Sequence, residues 1–279
     1  MPTHNNSSAP RLSVSTWSLH RTLGAPPICG VADGDSPAPL VLPDGALSLL
    51  DLPQRLADFG IHTLEICHFH LASREASYLK ELRAALDAAE VQLFSFLVDD
   101  GDITHETNRE RDLKWTEGCI ETASILGAQC VRVSGGKSEP SPAVLHRSRD
   151  GFLRLSDVAA PRGIRLMTEN WHATLSRPEI VNELLDSLDG AVGLCLDFGN
   201  WGGETKYDDL AAIAHRAESC HTKAHFNDDG GLDRDDYIRC LDITRTAGFS
   251  GPYTLIYSDA DPNEWNGLAQ EMGVVKPYL

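Results

Sequence analysis

IRLMTE (164–169), VGLCLD (192–197), ESCH (218–221) and PYTLIY (252–257) are the runs that decide the fold. Each is short and largely apolar, and helix-length segments separate them. Short apolar runs of this kind suit parallel strands buried on both faces. Three of the runs finish on side chains that ligate metals: Glu169, Asp197 and His221. The fourth finishes at Tyr257, where the series calls for one more ligand. Two carboxylates and an imidazole at the ends of neighbouring parallel strands can share one divalent cation.

The same rhythm extends back to the N-terminal side. Further strands are expected at LSVST (12–16), HTLEIC (62–67), VQLFSFLV (91–98) and QCVRVS (129–134). Helices are expected at about 46–59, 73–89, 107–127, 141–161, 177–189, 206–217, 234–247 and 262–271. Leu49, Leu52, Leu56 and Phe59 carry the helical spacing in the first of these, and Gly127 supplies a stop for the third. Eight strand–helix units in one chain point to an α/β fold of the (β/α)8 TIM-barrel type, a single domain over 1–279. A Rossmann sheet would place a Gly-rich GxGxxG after the first strand, but TWSLHRTLG follows instead. Residues 21–45, rich in Gly and Pro, read as a long loop inserted over one face.

Composition removes several classes of function. The 279 residues are 42% hydrophobic and 23% charged, with a formal charge of -17. Such an acidic surface repels nucleic-acid phosphate. No apolar run approaches the roughly 20 residues needed to span a bilayer. MPTHNNSSAPR (1–11) has no apolar signal core, so a cytoplasmic protein is expected. The seven cysteines are odd in number and form no CxxC pair, which reads as reduced thiols.

A barrel of this type carries its chemistry where the strands deliver their C-terminal ends. The polar residues there are Glu65, His68 and His70, then Asp99 and Asp100, then Arg132 and Lys137. Glu169, His172, Asp197 and Asn200 follow, with His221, Lys223, His225, Asp259 and Asp261 beyond them. Taken singly each has a plainer reading: Glu169 as a loop carboxylate, Asp197 as a helix cap, His221 as a satisfied strand histidine. Gathered at one end, so many ionisable groups are costly without a cation or polar ligand. Trp17, Trp171 and Trp201 lie just past strand ends, where they either stack on a sugar ring or pack the barrel mouth. SGGK (134–137) reads as a glycine turn rather than an anion loop.

Three longer stretches carry a family resemblance: TENWHATLSRP (168–178), LCLDFGNWGG (194–203) and the run from His221 to Tyr257. With weaker matches at EICHFH (65–70) and LGAQCVRVSGG (126–136), the chain resembles the xylose isomerase-like TIM-barrel superfamily over nearly its whole length. That group includes sugar phosphate isomerase/epimerases, ketose 3-epimerases and inosose dehydratases. The resemblance implies one divalent metal ion (Mn, Zn, Mg or Co) on Glu169, Asp197 and His221, with the fourth ligand, a Glu, replaced by Tyr257. It implies Glu169, Lys223 and His172 as catalytic groups. Glu65, His68, Trp17, Trp171, Asn200, His225 and Tyr257 are then the contacts to the substrate.

Tyr257 bears on the mechanism. A phenol, with a pKa of about 10, is a poor ligand for Mg²⁺ or Mn²⁺. Asp259 or Asp261 would have to reach the metal instead, or the site keeps three protein ligands. The epimerase members use two glutamates on opposite faces of the substrate, and only Glu169 is present here. The expectation is therefore an isomerase or epimerase acting on a sugar or keto-sugar by proton abstraction beside a metal-polarised carbonyl. Dehydration of a polyol and a non-catalytic sugar-binding barrel are the alternatives. Endonuclease IV-type repair is disfavoured by Asn200 in place of a His and by the acidic charge. Family barrels of this kind also form homo-oligomers through their outer helices.

Overall fold

The apolar runs form a ring of short parallel strands in the computed structural model, which describes residues 9–24, 30–31, 46–227, 229–259 and 261–279. The strands are β1 (Arg11–Ser15), β2 (Thr63–Cys67), β3 (Gln92–Val98) and β4 (Cys130–Val133), then β5 (Arg165–Glu169), β6 (Val192–Asp197), β7 (Ala217–Lys223) and β8 (Pro252–Ile256). Each pairs with its neighbours in chain order, and β8 pairs with β1, so the sheet closes as the expected (β/α)8 barrel. The expected 21–45 insertion falls mostly outside the described residues.

Outside the ring lie α1 (Leu52–Phe59), α2 (Ala76–Ala88), α3 (Arg109–Leu126), α4 (Pro142–Ala159), α5 (Pro178–Ser187), α6 (Lys206–Ala214), α7 (Arg234–Thr246) and α8 (Glu264–Val275). Local chemistry sets their ends. Ser141, Asp233 and Asn263 cap α4, α7 and α8 by accepting the main-chain N–H three residues on. Gly60 and Gly127 end α1 and α3 in left-handed conformations, with φ of +89° and +79°. The first helix begins at Leu52, later than the spacing predicts. Ser48 and Asp51 bond to each other in a turn, and Pro53 then fixes the first helical turn. Leu49 is buried even so.

Two cores result. The larger lies between strands and helices, from Val14 and Leu64 on the ring to Leu56, Phe152 and Leu268 on the helices. The smaller, of Phe94, Cys130, Met167 and Cys195, plugs the barrel interior. Side chains alternate along a strand, so the residues two beyond Cys130, Met167 and Cys195 also point inward. Those residues are Arg132, Glu169 and Asp197, and the plug is the floor beneath them. A bulge at Glu218 shifts β7 by one residue so that His221 pairs beside Asp197. Cys67, Cys119, Cys130, Cys195, Cys220 and Cys240 are buried free thiols. Among the described residues no helix is long and apolar enough to cross a membrane.

Candidate functional site

Glu169, Asp197 and His221 meet on that floor, all buried. The His221 ring is held at both nitrogens. Nε2 lies 2.8 Å from Glu65 Oε2, and Thr254 Oγ1 donates to the other Glu65 oxygen at 2.9 Å. Nδ1 faces Glu169 Oε2 at 3.5 Å and Asp197 Oδ2 at 3.8 Å.

These two separations are long for hydrogen bonds and suit ligands across a cation. Donors about 2.1 Å from a metal at tetrahedral angles lie roughly 3.4 Å apart. A carboxylate on the far nitrogen is the usual support of a metal-binding histidine. Glu169 Oε2 is also buried without a hydrogen-bond donor. Glu169 and His221 thus belong to a possible metal site. Among the described residues, Cys195 is the third side chain whose ligand atom lies within 4.8 Å of theirs. Asp197 is not part of that mutual set, although its carboxylate faces His221. In the sequence Cys195 reads only as one of the reduced thiols; nothing in the run VGLCLD marks it as a neighbour of the imidazole.

The charges are strongly coupled. Burial opposes a charge on His221, but Cys195, Glu65 and Glu169 outweigh it and hold the imidazole pKa well above its usual value. A metal on Nδ1 would have to displace that proton. Burial likewise pushes Glu169 up, yet Arg132 and His221 prevail and keep it below the usual carboxylate range. Asp197 moves the other way, raised by burial and then by the charge on Glu169.

Arg132 is the floor's fixed cation. Its Nη2 donates to Asp99 at 2.6 Å and its Nε lies 3.0 Å from Glu169 Oε2, close enough to pair but not aligned to donate. Its guanidinium also stands 5.2 Å from the Trp171 ring centre. Asn200 donates to Glu169 Oε1 at 2.6 Å, and the N–H groups of Gly199 and Asn200 both donate to Asp197 Oδ1. Asn170, fully buried, joins the two strand ends. Asn170 escaped the sequence-based set of site residues, and Arg132 stood in it only as one of many polar residues at the strand ends.

A cavity of about 260 Å³ opens above this floor. Its polar side is made of Arg132, Glu169, Asp197, Asn200, His221 and Lys223, with Asp99 and Trp171 at the rim. Its other side is Trp17, Cys67, Leu97 and Ile256, with Ser15 below. Several expected contacts lie elsewhere. Glu65 is behind His221. His68 is buried against Trp115, where it accepts the Asp99 N–H. His225 is exposed. His172 stacks on Trp171 at 3.8 Å from a left-handed backbone (φ +58°).

Tyr257 requires a correction. Its ring turns away from the mouth and packs against Gly267 of α8 and Phe226. The hydroxyl donates to the Asp261 carbonyl at 3.0 Å. Burial pushes its pKa up to about 12, so it stays neutral at ordinary pH. The strand-eight residue that faces the cavity is Ile256, paired in register with Lys223. Thr254, pointing inward to Glu65, sets the phase, and the next inward position is 256 rather than 257.

A closed (β/α)8 barrel that gathers acid, imidazole and guanidinium groups at the carboxyl ends of its strands places the chain in the TIM-barrel class. The chain belongs to the xylose isomerase-like TIM-barrel family, whose model matches residues 53–277. Solved structures share the fold at low identity. A xylose isomerase-like TIM barrel protein from Mycobacterium smegmatis in complex with magnesium is 15% identical, with a TM-score of 0.68, covering 99% of this chain and 98% of its own. 3-Keto-D-glucoside 4-epimerase from E. coli is 17% identical, with a TM-score of 0.63, covering 83% and 95%. The probable 3-DHS dehydratase from Bacillus anthracis is 14% identical, with a TM-score of 0.67, covering 95% and 98%. No curated protein is a match for the chain.

Proposed function

We propose that this barrel moves a proton beside the carbonyl of a sugar, keto-sugar or polyol, as an isomerase, epimerase or dehydratase. The observation that carries the reading is His221 Nδ1 turned toward Glu169 Oε2 and Asp197 Oδ2 while Glu65 holds Nε2. Glu169, Asp197 and His221 would hold one divalent cation, and oxygen and nitrogen donors of this kind suit Mn, Zn, Mg or Co. Such a cation polarises a carbonyl and the hydroxyl beside it, making the neighbouring C–H more acidic. The epimerase and dehydratase among the similar structures, and the one in complex with magnesium, support this reading.

The chain's own residues then divide the work. Glu169 is the base: Arg132 keeps it ionised, and Oε1, which takes only the Asn200 amide proton, retains a lone pair for the substrate proton. Lys223 lines the mouth as a donor to a substrate oxygen. Trp17 and Trp171 wall the cavity and exclude water from a bound ring. His172 acts through Trp171, on which it stacks. A sugar-binding barrel without catalysis is the second reading. It is favoured by Arg132, whose ion pair already neutralises Glu169.

Two measurements test the proposal. Metal analysis and titration of the purified protein should give one divalent ion per chain. Incubation in deuterated water with a panel of ketoses and inososes should wash deuterium into a carbon next to the carbonyl. Metal uptake without exchange on any member selects the binding barrel. Absence of both uptake and exchange sinks the enzyme reading.

A further inference from the structure

The cavity is divided sharply. Every group that can carry charge lies on the arc from the end of β3 through β7: Asp99, Arg132, Glu169, Asp197, His221 and Lys223. The arc of β8, β1, β2 and the body of β3 presents Ile256, Trp17, Cys67 and Leu97. Ser15 is the polar exception on this arc: its hydroxyl oxygen accepts the Trp17 main-chain N–H at 3.2 Å and lies 3.9 Å from Cys67 Sγ. Cys67 is a protonated thiol, since burial raises its pKa strongly. Ile256 is the hinge of this division. It pairs in register with Lys223, so the polar and apolar arcs meet between two adjacent side chains.

A fully hydroxylated sugar placed on this floor would press hydroxyl groups against Ile256 and Leu97, which offer no donor or acceptor; among the described lining residues only the Ser15 hydroxyl, the Trp17 indole N–H and the weakly bonding Cys67 thiol stand near them. Each hydroxyl buried without a partner costs free energy, whereas a methyl or methylene gains by leaving water. We propose that the substrate is polar along one edge and apolar along the other, a deoxy or methylene-bearing hydroxycarbonyl compound, and that Ile256 determines this preference. The proposal rests on the reading of the mouth as a sugar- or polyol-processing site and narrows its substrate class.

Calorimetry on the full chain with Mn²⁺ present, using ketohexoses each paired with the 6-deoxy analogue, tests it. The deoxy member should bind about tenfold more tightly in at least one pair, the size of preference an apolar pocket gives over an added hydroxyl. Ile256→Thr should shrink or reverse that preference. Ile256→Val, which keeps the wall apolar, should preserve it and controls for folding. Equal or tighter binding of the hydroxylated members overturns the inference and leaves the proton-transfer reading standing. No binding of any member by a protein that retains its metal overturns both.

Discussion

Asn170 and Asp197 are joined in both directions: the Asn170 amide donates to the Asp197 carbonyl at 3.0 Å, and its oxygen accepts the Asp197 N–H at 2.7 Å. This clamp ties the end of β5 to the end of β6. It fixes Glu169 and Asp197, the residue before the clamp and the residue it holds. Asn170→Ala should cost about 2–3 kcal/mol, because it strands two buried main-chain groups. A purely structural role would leave metal affinity unchanged in the folded fraction. A positioning role predicts about tenfold weaker divalent-metal binding in titrations of the folded variant, with the loss not rescued by lower temperature.

Ile256 and Asp197 make opposite predictions for the metal. Asp197→Ala removes one donor and should abolish titratable binding while the barrel's circular dichroism stays intact. Ile256→Glu introduces a carboxylate on the cavity side of β8, beside Lys223. It should tighten Mn²⁺ binding by at least tenfold. Unchanged affinity in both variants would place the metal, if bound at all, away from this floor.

The strand-eight assignment shows where the sequence stopped being readable. Strand positions were legible to within about two residues, since apolar runs and helix stops bound them closely: VGLCLD became β6 without change. Phase was not legible. PYTLIY is apolar on both faces, so hydrophobicity does not say whether Ile256 or Tyr257 points inward; the Thr254 contact to Glu65 does. Cys195 and Asn170 were invisible for a related reason. Their roles depend on neighbours 26 and 27 positions away, His221 and Asp197, brought close by barrel closure. Arg132 was noted as a polar strand residue, but only its contacts to Asp99 and Glu169 place it on the floor.

Tyr257→Phe tests the corrected orientation directly. With the ring packed on α8, the variant loses only the hydrogen bond to the Asp261 carbonyl. It should be destabilised by about 1 kcal/mol in urea titrations and should keep its metal affinity and ligand binding. A tenfold loss of either would return Tyr257 to the site.

Glu271 of α8 gives a pH dependence. It is fully buried; one oxygen accepts the Ile256 N–H at 3.2 Å and the other lacks a hydrogen-bond partner. Burial raises its pKa well above the usual carboxylate value. The native state therefore keeps a proton that the unfolded chain releases above about pH 4.3. Its contribution is full below that pH and declines as pH rises toward the folded pKa. Glu271→Gln removes the titration. Melting temperatures of variant and wild type should match near pH 4 and separate progressively above pH 5 in favour of the variant. A constant offset would show that Glu271 does not titrate across this range.

On the proposed proton-transfer reading, the one-sided distribution of charge sets the stereochemistry. Glu169 can remove a proton from the substrate face it meets. Among the described residues, the arc at Ile256, Trp17, Cys67 and Leu97 offers no carboxyl, imidazole or ammonium group to return it on the opposite face, and burial raises the Cys67 thiol too far to give up its proton readily. Epimerisation needs that second donor; isomerisation and elimination can proceed from one face with one base. Deuterium from solvent should therefore enter the reacting carbon with retained configuration, read by NMR of recovered ligand, and no epimer should accumulate. Glu169→Gln should stop the exchange, with binding of the same ligand within about tenfold of wild type. Build-up of the opposite configuration would require an acid on the far side and would overturn the single-base arrangement.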